Sequence, residues 1–146
     1  KLANQFSEIV LNKVVKAPFV PGAQDFIKKN YKKYKMFIST GTPVYEISQI
    51  VKKNNINKYF MEVFGSPETK IDHLNKILDQ WEIKKNNMVF IGDSITDKIA
   101  ADKFNIKFIA RTNQGQGELV NEKYRINNLI ELEKIICLIE GQNESD

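Results

Sequence analysis

Two aspartates four residues apart, Asp93 and Asp97, stand in the string Gly92-Asp93-Ser94-Ile95-Thr96-Asp97, directly after the apolar Phe90-Ile91. A carboxylate at the end of a short apolar run, with a second on the turn that follows, places two negative charges close together. Such charges repel unless a divalent cation or a lysine shares them, and hard oxygen donors favour magnesium. Asp93 and Asp97 are therefore candidate metal ligands. A plainer role is open to Asp97, because Ser94 and Asp97 also form a Ser-x-x-Asp capping box at a helix start; that leaves Asp93 unexplained. Thr40 and Gly41 close an earlier apolar run, where a hydroxyl and exposed backbone N–H groups suit an oxyanion. Any strand-to-helix turn can also use Thr and Gly. Lys70 follows Gly65-Ser66-Pro67 on an opening helical turn. A cation is mildly unfavourable there in isolation, so the position invites a partner such as phosphate or Asp97.

Short apolar runs must carry these residues. Four are of strand length: Lys35–Ser39, Met61–Gly65, Met88–Gly92 and Lys107–Ala110. Between them the apolar positions recur at helical spacing. Val44, Ile47, Ile50 and Val51 form one stripe, with Thr42 as expected cap and Pro43 in the first turn. Ile71, Leu74, Ile77, Leu78 and Trp81 form a second, opened by a Thr69/Asp72 capping box. Ile95, Ile99 and Ala100 form a third, and Leu129, Leu132, Ile136 and Ile139 a last. Phe26, Ile27 and Tyr34 line a helix after Pro21-Gly22, and Phe6, Ile9, Val10 and Val14 predict an amphipathic helix at the beginning. Strands of this kind alternating with helices predict an α/β fold: a Rossmann-like parallel sheet covered by helices on both faces. Ligands of such folds bind at the carboxyl ends of the strands, where Thr40, Gly41, Asp93 and Arg111 fall.

A hydroxyl at one strand end, then a lysine, then GDSxxD is an order that resembles the haloacid dehalogenase superfamily of phosphohydrolases, above all its phosphoglycolate-phosphatase-like members. The likeness runs from VPGAQDFIKKN through FISTGTPVYEI, FGSPETKIDHLNKIL and FIGDSITDKIAA to KFIAR. It implies a catalytic set of Thr40, Lys70 and Asp97. Thr40, Gly41 and Lys70 would bind phosphate, and Asp93 and Asp97 would serve magnesium. Ser39 is the neighbouring hydroxyl that replaces Thr40 if the register slips by one. The resemblance also implies an opening strand ending in Asp-x-Asp, whose first aspartate attacks phosphorus and whose second is the general acid. No two aspartates of this chain are one residue apart. The expected organisation is therefore a helical cap remnant over 1–20, a core over 21–141 lacking its first, central strand, and a polar tail over 142–146. Such a chain is expected to be inactive alone. Its incomplete sheet suggests self-association through exposed edges.

Composition narrows the alternatives. At 146 residues one domain burying roughly 70% of its unfolded surface is expected. One cysteine and one histidine exclude a disulfide scaffold and a Cys/His zinc module, and a reducing, cytoplasmic setting follows as the default. No apolar run reaches the ~20 residues of a membrane span. The net charge of +4 comes from lysines, with only Arg111 and Arg125 as arginines, which argues against nucleic acid and for a solvated surface. Lys28, Lys29, Lys32, Lys33 and Lys35, interleaved with Tyr31 and Tyr34, are read as a polar helical face. The expected partner is a small phosphorylated metabolite. GDSIT also resembles the first block of the GDSL-type esterases, with Ser94 as nucleophile, but no histidine base follows it. A receiver-like domain would need an acceptor aspartate before Thr40. A phosphohydrolase-like domain that only binds phosphate, nucleotide or protein is the remaining alternative. His73 is expected at a surface or half-buried helix position, Cys137 in the core, Trp81 and Phe60 in packing, and Arg111 in solvent.

Overall fold

A computed structural model describes Glu8–Leu11 and residues 20–145. Among the described residues six strands form one parallel sheet in the order β3-β2-β1-β4-β5-β6. They are β1 (Glu8–Leu11), β2 (Lys35–Pro43), β3 (Glu62–Ser66), β4 (Met88–Gly92), β5 (Lys107–Arg111) and β6 (Arg125–Ile126). The helices are α1 (Ala23–Asn30), α2 (Val44–Lys53), α3 (Lys70–Gln80), α4 (Ile95–Lys103) and α5 (Leu132–Ser145). The α/β class and the parallel sheet are as the alternation of runs predicts.

Period-two alternation along the inner strands builds two cores from runs that look uniformly apolar. Met36 and Ile38 of β2, with Val89 and Ile91 of β4, pack beneath Phe26 and Ile27 of α1, Ile47 and Val51 of α2, and Leu132, Ile136 and Ile139 of α5. Phe37 and Phe90 point the other way, against Leu74 and Ile77 of α3 and Ala100 and Ala101 of α4. The alanines let α4 lie close to the sheet, and Trp81 meets Phe37 edge to face at 5.4 Å.

The opening of the chain corrects the helix expected there. Glu8–Leu11 is extended and pairs in parallel with both β2 and β4, with Ile9 opposite Met36 and Val89. The central position expected to be missing is thus filled, and the described sheet ends at β3 and β6. The reason is physical: the apolar run Ile9-Val10-Leu11 satisfies helical spacing and a buried strand equally, and two waiting strands decide between them. The other residues of the expected 1–20 cap remnant up to Phe19 lie outside the described residues. At the far end the expected polar tail over 142–146 continues α5 as far as Ser145.

Smaller corrections concern helix ends and faces. Pro43, not Thr42, is the N-cap of α2, because β2 runs on through Pro43. Lys32 and Lys33 lie in the turn after α1, and Tyr34, beyond the helix, is buried. Cys137 is exposed, since α5 turns Ile136 and Ile139 inward and carries Cys137 and Leu138 outward. No helix among the described residues is long and apolar enough to cross a membrane.

Candidate active site

The carboxyl ends of β2, β3 and β4 bring Thr40, Gly41, Lys70 and Thr96 to the wall of one cavity of about 370 Å³, which Ile71 and Ile99 line on the apolar side. Thr40 is buried, and its Oγ1 accepts a hydrogen bond from the Thr42 backbone N–H at 3.2 Å and donates to Thr42 Oγ1 at 3.3 Å. Ser39 is committed elsewhere: its Oγ lies 2.7 Å from His73 Nδ1. The register therefore gives the cavity to Thr40.

Thr40–Gly41–Thr42 is an irregularity in the sheet. Ser39 pairs with Phe64 and Pro43 with Ser66, so four steps along β2 match two along β3. Extra residues of this kind bend a strand and re-aim its side chains. Gly65, opposite the irregularity, must be glycine: a Cβ there would lie 2.4 Å from the Thr42 carbonyl oxygen.

Lys70 opens α3, whose N-terminus carries the expected capping box: Thr69 Oγ1 accepts from the Asp72 N–H, and Asp72 Oδ2 from the Thr69 N–H. Those bonds hold the Asp72 carboxyl below its ordinary pKa. From this start Lys70 reaches across to α4. Its Nζ sits 2.6 Å from Asp97 Oδ1 and donates to Ser94 Oγ at 3.3 Å and Thr96 Oγ1 at 3.1 Å.

Asp97 is fully buried and serves both as the helix cap and as the partner of Lys70. Its Oδ2 accepts the Asp93 N–H and Ser94 N–H at 3.1 Å each and the Ser94 hydroxyl at 2.9 Å, completing the capping box of α4. Its Oδ1 holds Lys70. Gly92 makes room, since a Cβ there would stand 2.4 Å from Asp97 Oδ2. Asp93, at the tip of β4, keeps 26% of its side chain exposed beside a cavity of about 190 Å³, with Arg111 Nη1 at 3.9 Å from its Oδ2. That separation in a partly exposed pair is a weak interaction. Arg111 is thus not simply solvated; its Nε donates to the Asn127 carbonyl at 3.2 Å.

The donor set suits a hard cation in chemistry but not evenly. With both oxygens of Asp97 engaged by N–H, O–H and ammonium donors, Asp93 is the carboxylate that could hold a hard cation, and magnesium in such sites characteristically keeps several waters. Among the described residues no three His, Cys, Asp or Glu side chains cluster as a metal site. Ser94 is surrounded by Lys70, Thr96 and Asp97, while the chain's one histidine binds Ser39, so the described geometry gives Ser94 no histidine base of the GDSL-esterase kind.

The parallel sheet and the polar residues gathered at its strand ends define an α/β core of the doubly covered kind. A family model described as haloacid dehalogenase-like hydrolase matches residues 1–111, and the chain belongs to that family. A phosphoglycolate phosphatase of Vibrio parahaemolyticus is 32% identical over 73 residues, 47% of this chain and 32% of that protein, so the match spans about a third of the relative's length. Among solved structures, the core domain of a Streptococcus pneumoniae protein named as a phosphoglycolate phosphatase superposes with a TM-score of 0.69 at 20% identity, covering 90% of this chain and 96% of that one. A Bacillus subtilis haloacid dehalogenase-type hydrolase, bound to magnesium, gives 0.71 at 20% identity over 81% of this chain and 56% of its own. These structural likenesses show the shared fold.

Proposed function

We propose that these residues form the phosphate-binding side of a magnesium-dependent phosphatase site that acts on a small phosphorylated metabolite. The observation that carries this is the cation at the cavity wall: Lys70, anchored 2.6 Å from buried Asp97, stands with Thr40 and Gly41 around one cavity. An ammonium fixed by a buried carboxylate keeps its position when a phosphoryl group arrives. Thr40 adds a hydroxyl, and Gly41 beside it would add a backbone N–H, the Thr42 N–H being bonded to Thr40 Oγ1. Charge that develops on phosphoryl oxygens is stabilised by such fixed donors without reorganisation. Asp93 would hold magnesium, with Asp97 steadying both the Asp93 backbone and Lys70. Bound there, the ion supplies Lewis-acid stabilisation of phosphoryl oxygens.

Hydrolysis through an aspartyl-phosphate also needs an attacking aspartate and an acid for the leaving group. The seven aspartates of the chain include no Asp-x-Asp pair, so the reading assigns the nucleophile to a segment outside these 146 residues and expects no turnover without it. The test is a p-nitrophenyl phosphate assay with magnesium, run beside calorimetric titration of inorganic phosphate. Phosphate binding without turnover is expected. Steady hydrolysis abolished by Asp93→Asn overturns the missing-nucleophile reading, and no phosphate binding overturns the site.

One observation favours a second reading, a phosphate-binding domain without catalysis: the central strand is Glu8–Leu11, and the residues next to it in sequence, Ser7 and Asn12, are not carboxylates. Magnesium separates the two. A phosphatase site binds phosphate more tightly when magnesium is added and loses that gain in Asp93→Asn; a purely binding domain is indifferent.

A further inference from the structure

His73 does not contribute to the cavity, yet it touches both strands that shape it. The ring is fully buried and stacks on Phe64 with centroids 5.4 Å apart. Nε2 lies 3.1 Å from the Gly65 carbonyl oxygen, which can only accept, so Nε2 carries the proton. Nδ1 then accepts the Ser39 hydroxyl at 2.7 Å. Both ring nitrogens are used by a neutral imidazole; a second proton, on Nδ1, would reverse the bond, with Nδ1 donating to Ser39 Oγ and the buried Ser39 hydroxyl proton needing another acceptor.

Those two partners bracket the irregularity of β2. Ser39 is the last residue in register before it, and Gly65 is the residue of β3 opposite it, already pressed against Thr42. His73 also shares the first turn of α3 with Lys70, three residues away, where side chains lie on neighbouring faces. One helical turn thus carries the cation of the site and the link to the strand that bears its hydroxyl. Ser39 and His73 are both sealed from solvent, which excludes a nucleophilic Ser–His role.

We propose that His73 is a positioning residue: in its neutral form it fixes the Thr40–Gly41–Thr42 loop in its anion-receiving shape and sets that loop against Lys70. The proposal rests on the reading of Thr40, Gly41 and Lys70 as a phosphate site. Burial is the leading influence on the imidazole and pushes its pKa below the ordinary value, against the opposing pull of the Gly65 carbonyl bond, Glu68 and Asp72. Glu68 is itself paired with Lys76, and Asp72 is held by Thr69. From the strand side Ser39, Phe64 and Gly65 meet the ring with no charge.

The test is nitrogen-15 NMR of the full chain with sulfate as probe, because sulfate stays a dianion throughout and leaves the titration to the protein. Wild type is compared with His73→Gln, whose amide can donate to Gly65 and accept from Ser39 without titrating, and with His73→Leu. Expected are an Nε2–H imidazole at about pH 7, and Gly41 and Thr42 amide signals that move with imidazole protonation in wild type but stay fixed in His73→Gln. At about pH 8 sulfate affinity is expected to fall about tenfold in His73→Leu and to stay within about twofold of wild type in His73→Gln. An Nδ1–H tautomer, Gly41 and Thr42 amides indifferent to imidazole charge, or undiminished sulfate binding by His73→Leu overturns the proposal. If His73→Leu does not fold, Ser39→Ala takes its place, with the same loss expected and its absence equally decisive. If wild type binds no sulfate at about pH 8, the phosphate reading fails, and the amide signals still decide the clamp.

Discussion

Lys70 Nζ and Asp97 Oδ1 lie 2.6 Å apart across the start of two helices, with the Asp97 side chain fully buried and that of Lys70 only 13% exposed. The pair joins α3 to α4 on one face of the sheet. Removing one member of a buried pair strands the other, at a cost of about 3–5 kcal/mol. The two members are not equivalent. Asp97 also receives three donors on its second oxygen, whereas Lys70 keeps two hydroxyl acceptors and an opening to the cavity. Asp97→Ala is therefore expected to destabilise by about 3–5 kcal/mol, and Lys70→Met by clearly less, because the bonds from Asp93 and Ser94 still satisfy the carboxylate. Urea unfolding of both variants checks the order. Equal losses would show that the capping bonds contribute nothing beyond the ion pair.

Gly92 allows this arrangement. A methyl group at 92 would stand 2.4 Å from Asp97 Oδ2 and 2.5 Å from its Cγ. The side chain must move, and in moving it loses the backbone bonds and misplaces Lys70. Gly92→Ala is expected to cost about 1–3 kcal/mol, as overpacking generally does, and to weaken phosphate binding with it. Calorimetry on the folded variant separates the two effects, and unaltered phosphate affinity would detach Asp97 from the site.

Gly65, facing the loop from β3, and Gly41, within it, offer a matched contrast. At 65 an added Cβ meets backbone, the Thr42 carbonyl oxygen at 2.4 Å and Val44 N at 2.7 Å, so relief requires the loop itself to shift. At 41 nothing lies within 4 Å. Gly65→Ala is expected to destabilise by about 1–3 kcal/mol, while Gly41→Ala leaves stability within about 0.5 kcal/mol or raises it by restricting the unfolded chain. Thermal unfolding of the two variants decides. A loss at 41 as large as at 65 would mean the loop is held by something other than this close packing.

Much of this site is legible in the residues themselves because its parts are local. The Ser94–Asp97 and Thr69–Asp72 boxes need only a three-residue spacing, and the strand ends follow from where apolar runs stop. What escapes is whatever depends on a distant partner. Ser39 lies 34 residues before His73, and nothing in the periodicity of α3 marks that histidine as buried. Glu8–Leu11 becomes a strand because β2 and β4 leave a place between them, a tertiary influence that Ile9, Val10 and Leu11 cannot announce. β6 is two residues long, too short for a pattern. Cys137 is different: helical spacing from Ile136 and Ile139 already points it outward, and apolar neighbours alone are a poor guide to burial.

The neutral His73 carries a prediction for stability that is independent of any ligand. Its folded-state pKa is lowered, chiefly by burial, so on acidification the unfolded chain takes up a proton first. The unfolded state then binds more protons than the folded one, and stability rises with pH in that window. The contribution is fully present above the ordinary imidazole value of about 6.5 and is lost as pH falls below it towards the folded-state value, at a slope of at most about 1.4 kcal/mol per pH unit for one group. Asp72, also lowered, acts in a separate window, its contribution present above about 3.8 and lost below. Urea unfolding from about pH 8 to 5 is therefore expected to show a decline below about 6.5 in wild type that His73→Gln removes. A wild-type profile flat across that range would mean the ring accepts its second proton in place, and the Ser39–His73 bond would then be a contact without thermodynamic consequence.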